Sequence, residues 1–141
     1  DEKCTSLYGV PTMFIAELAV KDFDKYDFSS LRTGVMAGSV CPPEIMKKVE
    51  SLMNIKEMSI CYGMTETSPV STQTLIGTPL EKQVSTVGTV QDHLEIKIVD
   101  ENGRTLKRGE HGELCTRGYS VMLKYWNDPE NTKNPESSAK L

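Results

Sequence analysis

The sequence predicts an α/β fold in its first part and an antiparallel, β-rich half barrel after it. Two apolar strand candidates, 34–37 and 58–62, flank an amphipathic stretch at 43–53, which is the element order of a βαβ unit. From residue 87 onward, apolar and polar residues alternate with a period of two, as in antiparallel strands. The predicted organisation is an α/β portion at 1–86, a β-rich portion at 87–132 and an atypical tail at 133–141.

Two helices are predicted in the α/β portion. The first runs from Pro11 to about Ala19, because proline suits a first helical turn, where its missing N–H is not needed. Its apolar face would contain Met13, Phe14 and Leu18. The second helix opens at Pro42 and Pro43 and carries apolar residues at the spacing of one helix face. That stripe consists of Ile45, Met46, Val49, Leu52 and Met53.

The two predicted strands of the βαβ unit end in short polar or aromatic segments. One strand leads into Gly38 and Ser39, and the other ends at Tyr62 before Gly63. Ligands of parallel sheets bind at the carboxyl ends of the strands. We therefore expect these residues to lie side by side and to mark the place where the chemistry occurs.

The β-rich portion contains three predicted strands and a helix start. Residues 94–98 alternate in polarity and precede a turn at 100–103, so we expect a hairpin with 104–106 as the second strand. Residues 113–117 alternate again and form a further strand. Asn and Asp residues at 127–130 are typical of a helix N-terminus.

Composition narrows the function classes. The formal net charge is −4 and there is no basic block, so binding to a nucleic-acid backbone is not expected. No apolar run reaches the roughly 20 residues that span a bilayer, so we expect no membrane span. The four cysteines form no C-x-x-C pair, and no signal-peptide pattern opens the sequence, which together favour reduced thiols and an intracellular protein.

Residues 62–69 combine groups that suit a nucleotide. Tyr62 can stack on a base, and Gly63 permits close backbone approach. Thr65 can donate to a phosphate oxygen, and Glu66 is an oxygen ligand of the kind that Mg²⁺ prefers. The residues alone leave an alternative open, in which this segment is a polar turn and Glu66 caps a helix or faces solvent.

The segment 62–69 resembles the Y-G-x-T-E core motif of adenylate-forming enzymes, which include acyl-CoA synthetases, firefly luciferases and amino-acid adenylation domains. Further segments resemble motifs of that family in the same order along the chain. They are Ala37–Ser39 with Pro42 (the adenine loop), Ser85–Gly88 (the V-G segment), and Gly112–Gly118 with Tyr125 and Trp126 (the G-E-L-x-x-R-G…Y-W segment). The opening stretch 8–13 is similar to short- and medium-chain fatty acyl-CoA synthetases.

The resemblance implies a fatty acid–CoA ligase of the AMP-forming type, built on a larger adenylate-forming fold. In such an enzyme a carboxylate attacks the α-phosphate of Mg-ATP, releasing pyrophosphate, and the thiol of coenzyme A then takes the acyl group from AMP. Donors and a metal must neutralise the charge that develops on phosphate. The implied partners are therefore a fatty acid or related carboxylate, ATP or AMP, Mg²⁺ and coenzyme A.

The resemblance also implies roles for individual residues. The residues that would border the nucleotide and the reacting carboxylate are Gly38, Ser39, Tyr62, Gly63, Met64 and Thr65, with Tyr62 lying on the adenine ring. Thr65 would bind phosphate and Glu66 would hold Mg²⁺, which makes these two the catalytic candidates. Val87 and Gly88 would flank the acyl tunnel. Independently of the resemblance, Tyr125 and Trp126 are expected to pack in the core rather than bind a ligand, because large aromatic residues dominate core burial.

Several family motifs do not occur in this sequence. The phosphate loop, the T-G-D ribose motif, the hinge and the C-terminal lysine are absent, and Val40 and Lys124 stand where the family prefers proline and glycine. We therefore expect a central fragment that is inactive alone and associates through exposed sheet edges. The alternative is a non-catalytic nucleotide-binding or interaction module. The end at 139–141 resembles a relaxed peroxisomal address, so peroxisome joins cytoplasm and mitochondrion as an expected location.

Overall fold

The computed structural model describes residues 2–133, which form two sheets and four short α-helices. The main sheet contains β1 (Ser6–Gly9), β2 (Thr33–Ala37), β3 (Glu57–Gly63), β4 (Val70–Gln73) and β5 (Thr89–Val90), in that order. The second sheet pairs β6 (Leu94–Val99) with β7 (Glu113–Gly118). The helices are α1 (Pro11–Leu18), α2 (Pro43–Leu52), α3 (Leu80–Ser85) and α4 (Pro129–Lys133). The predicted α/β class with a following antiparallel pair is confirmed.

The chain divides into two compact units. The first unit is the chain up to Tyr62 together with Thr72–Thr89, and the second is Gly63–Ser71 together with the chain from Val90 onward. The segment 63–71 is therefore an insertion, in sequence terms, between two parts of the first unit. The division predicted at residue 86 stays a prediction.

The predicted βαβ unit is confirmed as β2, α2 and β3. β2 pairs with β3 in parallel, from Thr33 opposite Glu57 to Ala37 opposite Cys61. β1 extends the parallel arrangement on the other side of β2. β1, which has four residues and no fully buried position, was not predicted from the sequence. The parallel register brings the carboxyl ends of β2 and β3 to one edge of the sheet.

The core of the first unit lies between the helices and the sheet. α2 contributes Met46 and Val49, and Met53 directly after the helix is also buried, at the spacing of a narrow helix face. Leu52 was predicted on this stripe but is 54% exposed, because it lies beyond the buried row. In α1, Phe14 is buried as predicted, whereas Met13 is 47% exposed and the prediction for it is wrong.

The second sheet differs from the predicted hairpin in its partner strand. β6 pairs with β7, and the predicted partner at 104–106 is present as a short antiparallel return: Thr105 bridges Val99, the Leu106 N–H donates to the Ile98 carbonyl at 2.8 Å, and the Asp100 N–H donates to the Arg104 carbonyl at 3.0 Å. The Asp100 carboxylate accepts hydrogen bonds from the backbone N–H groups of Asn102 and Arg104, at 2.9 and 2.8 Å. These bonds close the turn that precedes 104–106, and Val99 is paired both with Thr105 after this turn and with Glu113 of β7.

The predicted helix start at 127–130 is confirmed by α4, whose first turn is held by the Asp128 carboxylate accepting from the backbone N–H of Asn131 at 3.0 Å. Within residues 2–133, none of the helices combines the length and apolarity needed to cross a bilayer. The predicted tail beyond Lys133, including the end at 139–141, lies outside the described residues.

Candidate functional site

The carboxyl edge of the first unit brings together three of the residues predicted to border the nucleotide. Because Ala37 lies opposite Cys61, the next residues along each chain segment, Gly38 and Tyr62, are neighbours at the carboxyl edge of this strand pair. Gly38 has a φ of +91°, and a Cβ there would lie 3.1 Å from Val10 Cγ1, so the position favours glycine. Ser39 is exposed and the Tyr62 side chain is 41% exposed, so both are accessible from solvent.

The predicted acyl-site residues, Val87 and Gly88, lie against β4 in the same unit. The Thr72 hydroxyl donates to the Val87 carbonyl at 2.6 Å. Gly88 has a φ of +84°, and a Cβ there would lie 2.1 Å from the carbonyl group of Gln73. The close approach of two backbone segments therefore requires glycine at this position, while the Val87 side chain remains 41% exposed.

The second unit holds the loop that carries the remaining predicted residues. Its centre is a 3₁₀ turn at Thr65–Thr67, and the buried Thr67 hydroxyl accepts from the Met64 N–H at 3.2 Å. The same hydroxyl has the carbonyls of Met64 and Pro69 within 3.0 and 3.1 Å as acceptors. A Cβ on Gly63 would lie 1.7 Å from the Pro69 carbonyl oxygen, so only glycine fits there. The loop is thus folded back on itself by local hydrogen bonds.

The carboxyl end of this loop is anchored within the second unit. The hydroxyls of Ser71 and Thr116 share a hydrogen bond of 3.1 Å, and both residues are buried. The Gln91 N–H donates to the Ser71 carbonyl at 3.0 Å. Because buried polar groups are costly unless paired, these bonds fix where the loop rejoins the fold.

Glu66 is held by residues that lie far along the chain. The Tyr125 hydroxyl donates to Glu66 Oε1 across 59 sequence positions, and the Met122 N–H donates to the Glu66 carbonyl at 2.8 Å. The hydrogen bond from Tyr125, with a smaller contribution from the Glu66 backbone N–H, holds the pKa of the Glu66 carboxyl below its ordinary value. Glu66 is therefore an anion at neutral pH, as a metal ligand must be.

The residues present fit a magnesium ion that arrives with a nucleotide. No group of three or more His, Cys, Asp or Glu side chains within residues 2–133 could form an all-protein metal site. Magnesium in phosphate-binding enzymes is commonly held by one or two carboxylates plus the phosphates of the substrate. A single ionised carboxylate at Glu66, beside the exposed Thr65, matches that mode of binding.

Comparison with known proteins identifies the family. The model for the family described as "AMP-binding enzyme" matches residues 1–126. The chain belongs to the AMP-binding enzyme family. Among curated relatives, "Putative acyl-CoA synthetase YngI" of Bacillus subtilis (strain 168) is 53% identical over 94% of this chain. "Medium-chain acyl-CoA ligase ACSF2, mitochondrial" of Danio rerio is 50% identical over the same share.

A solved structure confirms the fold of this AMP-binding chain. The anthranilate CoA ligase AuaEII in complex with anthranoyl-AMP superposes with a TM-score of 0.79 and 29% identity, over 93% of this chain and 25% of that one. The chain spans 24% and 22% of the length of the two curated relatives. The match therefore concerns about a quarter of an acyl-CoA ligase.

The hydrogen-bonding partners of Glu66 were not predicted from the sequence. Tyr125 was expected to pack, but it is half-buried and binds Glu66. Trp126 was expected to pack as well and is 85% exposed, so that prediction is wrong for the described residues. The signal that could have linked Tyr125 to Glu66 is that both belong to motifs of the AMP-binding family, although nothing local connects them.

Proposed function

We propose that this chain supplies part of the adenylate site of an acyl-CoA synthetase, which activates a fatty carboxylate with ATP and passes it to coenzyme A. The observation that carries the proposal is the pairing of β2 with β3, which sets Gly38 beside Tyr62 at the carboxyl edge of a parallel sheet. Such edges are where open α/β sheets bind nucleotides. The names of the two relatives at 53% and 50% identity support an acyl substrate, and one of them specifies medium chain length.

The adenine would lie in the first unit. Gly38 has no side chain, and Ser39 offers a hydroxyl at an exposed position, so this stretch leaves room for a flat ring. The partly exposed Tyr62 ring would stack on the base, a contact that tolerates any π-face. Val87 and Gly88, fixed against β4 in the same unit, would border the acyl chain.

The loop at 63–68 carries the residues that we propose for phosphate binding, and their roles rest on the residues of that loop alone. Thr65 is exposed in the 3₁₀ turn and would donate its hydroxyl to a phosphate oxygen. Gly63 and Met64 would border the reacting carboxylate, and Glu66 would hold Mg²⁺. Magnesium bound with ATP would neutralise phosphate charge, which favours attack on the α-phosphorus. Each of these roles depends on the local hydrogen bonds that shape the loop.

Catalysis by this chain alone is not part of the proposal. The sequence has no phosphate loop, no T-G-D ribose motif and no C-terminal catalytic lysine of the kind that the family uses. We therefore expect the isolated chain to release no pyrophosphate from Mg-ATP and octanoate. For location, we propose cytoplasm or mitochondrion, and the relatives' printed names support the latter. Those names lend no support to a peroxisome.

The proposal is tested by binding of an acyl-adenylate analogue, octanoyl-sulfamoyl-adenosine, to the 141-residue chain. Saturation-transfer NMR and calorimetry should detect binding that Tyr62→Ala weakens by roughly tenfold, since base–aromatic stacking contributes about 1–3 kcal/mol. Tyr26→Ala is the matched control, because Tyr26 is 61% exposed in the same unit and was assigned no role. Equal affinity for the Tyr62 variant and the control would refute the pocket.

A further inference from the structure

The Glu66 carboxylate is positioned by a segment that comes almost 60 residues later, in the same unit. The Tyr125 hydroxyl donates to Glu66 Oε1, and three residues before Tyr125 the Met122 N–H donates to the Glu66 main-chain carbonyl at 2.8 Å. One contact fixes the end of the side chain and the other fixes its backbone. With its main-chain carbonyl and its terminal carboxylate both engaged, Glu66 has fewer accessible side-chain rotamers than with either contact alone.

Tyr125 is itself held in place. Its backbone N–H donates to the Thr132 hydroxyl at 3.1 Å, and that hydroxyl donates to the Asp128 carbonyl at 2.6 Å. The Tyr125 ring is half-buried, although neighbouring Trp126 is 85% exposed. The segment therefore presents the Tyr125 hydroxyl from a fixed base rather than from a mobile loop.

The consequence concerns which way the carboxylate points. A glutamate side chain at a partly exposed position has several rotamers of similar energy, and a ligand must select one at a cost in entropy. With Oε1 engaged by Tyr125 and the Glu66 carbonyl engaged by the Met122 N–H, the directions open to Oε2 are restricted. Outer hydrogen bonds of this kind orient metal-binding groups and commonly change metal affinity by about 10–100-fold.

We propose that Tyr125 is a positioning residue, which holds the Glu66 carboxylate in the orientation that a divalent cation on the nucleotide phosphates requires. This inference rests on the proposed function, because it needs Glu66 to be the cation ligand. A competing explanation is that Tyr125 only fastens the 63–71 loop to the fold. The two explanations differ in one measurable respect. If Tyr125 only fastened the loop, its loss would affect nucleotide binding equally with and without metal.

A quantity that we call the metal advantage distinguishes the positioning role of Tyr125 from the loop-fastening role. It is the ratio of the ATP dissociation constants of the 141-residue chain measured in EDTA and with saturating Mg²⁺. We expect Tyr125→Phe to reduce this ratio by about tenfold and to leave binding in EDTA within twofold of wild type. Tyr119→Phe is the matched control, because Tyr119 is 78% exposed, and it should change neither value.

Two further measurements separate the failure of this inference from the failure of the proposed function. Without nucleotide, three-bond couplings should show a single Glu66 rotamer in wild type and averaging in Tyr125→Phe. Averaging in wild type, or an equal loss of binding with and without metal in the variant, would overturn the role of Tyr125 alone. A wild-type chain with no metal advantage, or Glu66→Gln with the full advantage, would overturn the metal role of Glu66 and this inference with it.

Discussion

The close approach of Gly88 to β4 predicts a large loss of stability when a methyl group is added there. Gly88→Ala combines two penalties: a φ of +84°, which costs an L-residue about 1–2 kcal/mol, and a collision with backbone. The new Cβ would lie 2.1 Å from the Gln73 carbonyl group and 2.3 Å from the Thr74 nitrogen. Backbone atoms cannot rotate away as a side chain can, so the strands must separate locally.

Gly77 provides a control that isolates the collision. It lies in the same unit with a φ of +81°, but a Cβ there would meet no atom within 4 Å. Gly77→Ala should therefore cost only the conformational part, about 1–2 kcal/mol. Gly88→Ala should cost a further 1–3 kcal/mol or so, which is typical of overpacking.

The assay is equilibrium unfolding in urea, followed by far-UV circular dichroism. We expect the midpoint of Gly88→Ala to fall well below that of Gly77→Ala, with unchanged slopes for both. Identical midpoints for the two variants would refute the predicted collision at residue 88, since the shared φ penalty would then account for the whole loss of stability. A fully unfolded Gly88→Ala beside a folded Gly77→Ala would agree with it.

Three other outcomes follow from contacts in the described residues. Gln83→Met should lower the free energy of unfolding by about 1–3 kcal/mol, because the buried Gln83 amide donates to the Met58 carbonyl; exposed Lys82→Met on the same helix should be nearly neutral in urea unfolding. Burial raises the pKa of the Cys41 and Cys61 thiols above the ordinary 9.0, so iodoacetamide at pH 8 should label exposed Cys4 first. Because the unfolded chain loses these thiol protons at a lower pH than the folded chain, stability should decline as pH rises above 9.0. Preferential labelling of Cys41 over Cys4 would contradict the expected order of labelling. Light scattering should show a mass that rises with concentration, because Leu123 and Trp126 are 97% and 85% exposed; a constant monomer mass would argue against association.

The elements that the sequence predicted well are those whose burial follows a regular period. β2, β3 and α2 carry apolar residues at strand or helix spacing, and their packing buries Met36, Ile60 and Val49. The hairpin at 94–106 is present only as a short return after the predicted turn at 100–103, and the sequence did not show that the longer ladder of β6 would form with β7. The Asp100 side chain uses that turn for its own hydrogen bonds, and β7 supplies the partner from farther along the chain.

The identities of the site residues could be predicted from the sequence, but the contacts that hold them in place could not. The segment 62–69 contains glycine, hydroxyl and carboxylate groups directly after a predicted strand. The sequence alone therefore places Glu66 on a loop that follows a strand. The contact from Tyr125 spans 59 positions, and its geometry depends on the turn held by Thr132. A residue that looks like an ordinary packing aromatic in sequence acquires its role only from the folded path of the chain.

The elements missed around β4 share a physical cause. Ser71, Thr72, Thr74 and Gln83 are buried polar residues, whereas hydrophobic patterns assign such residues to the surface. Here the hydroxyls replace backbone partners: Thr74 Oγ1 accepts from the Ile60 N–H at 2.8 Å, and Thr72 Oγ1 donates to the Val87 carbonyl at 2.6 Å. Each therefore buries a side chain while satisfying a backbone group, so polarity and burial coincide. Where side-chain hydroxyls satisfy backbone groups that a neighbouring strand would otherwise pair, the strand does not need alternating apolar residues. Short strands such as β4 therefore cannot be predicted from hydrophobic periodicity.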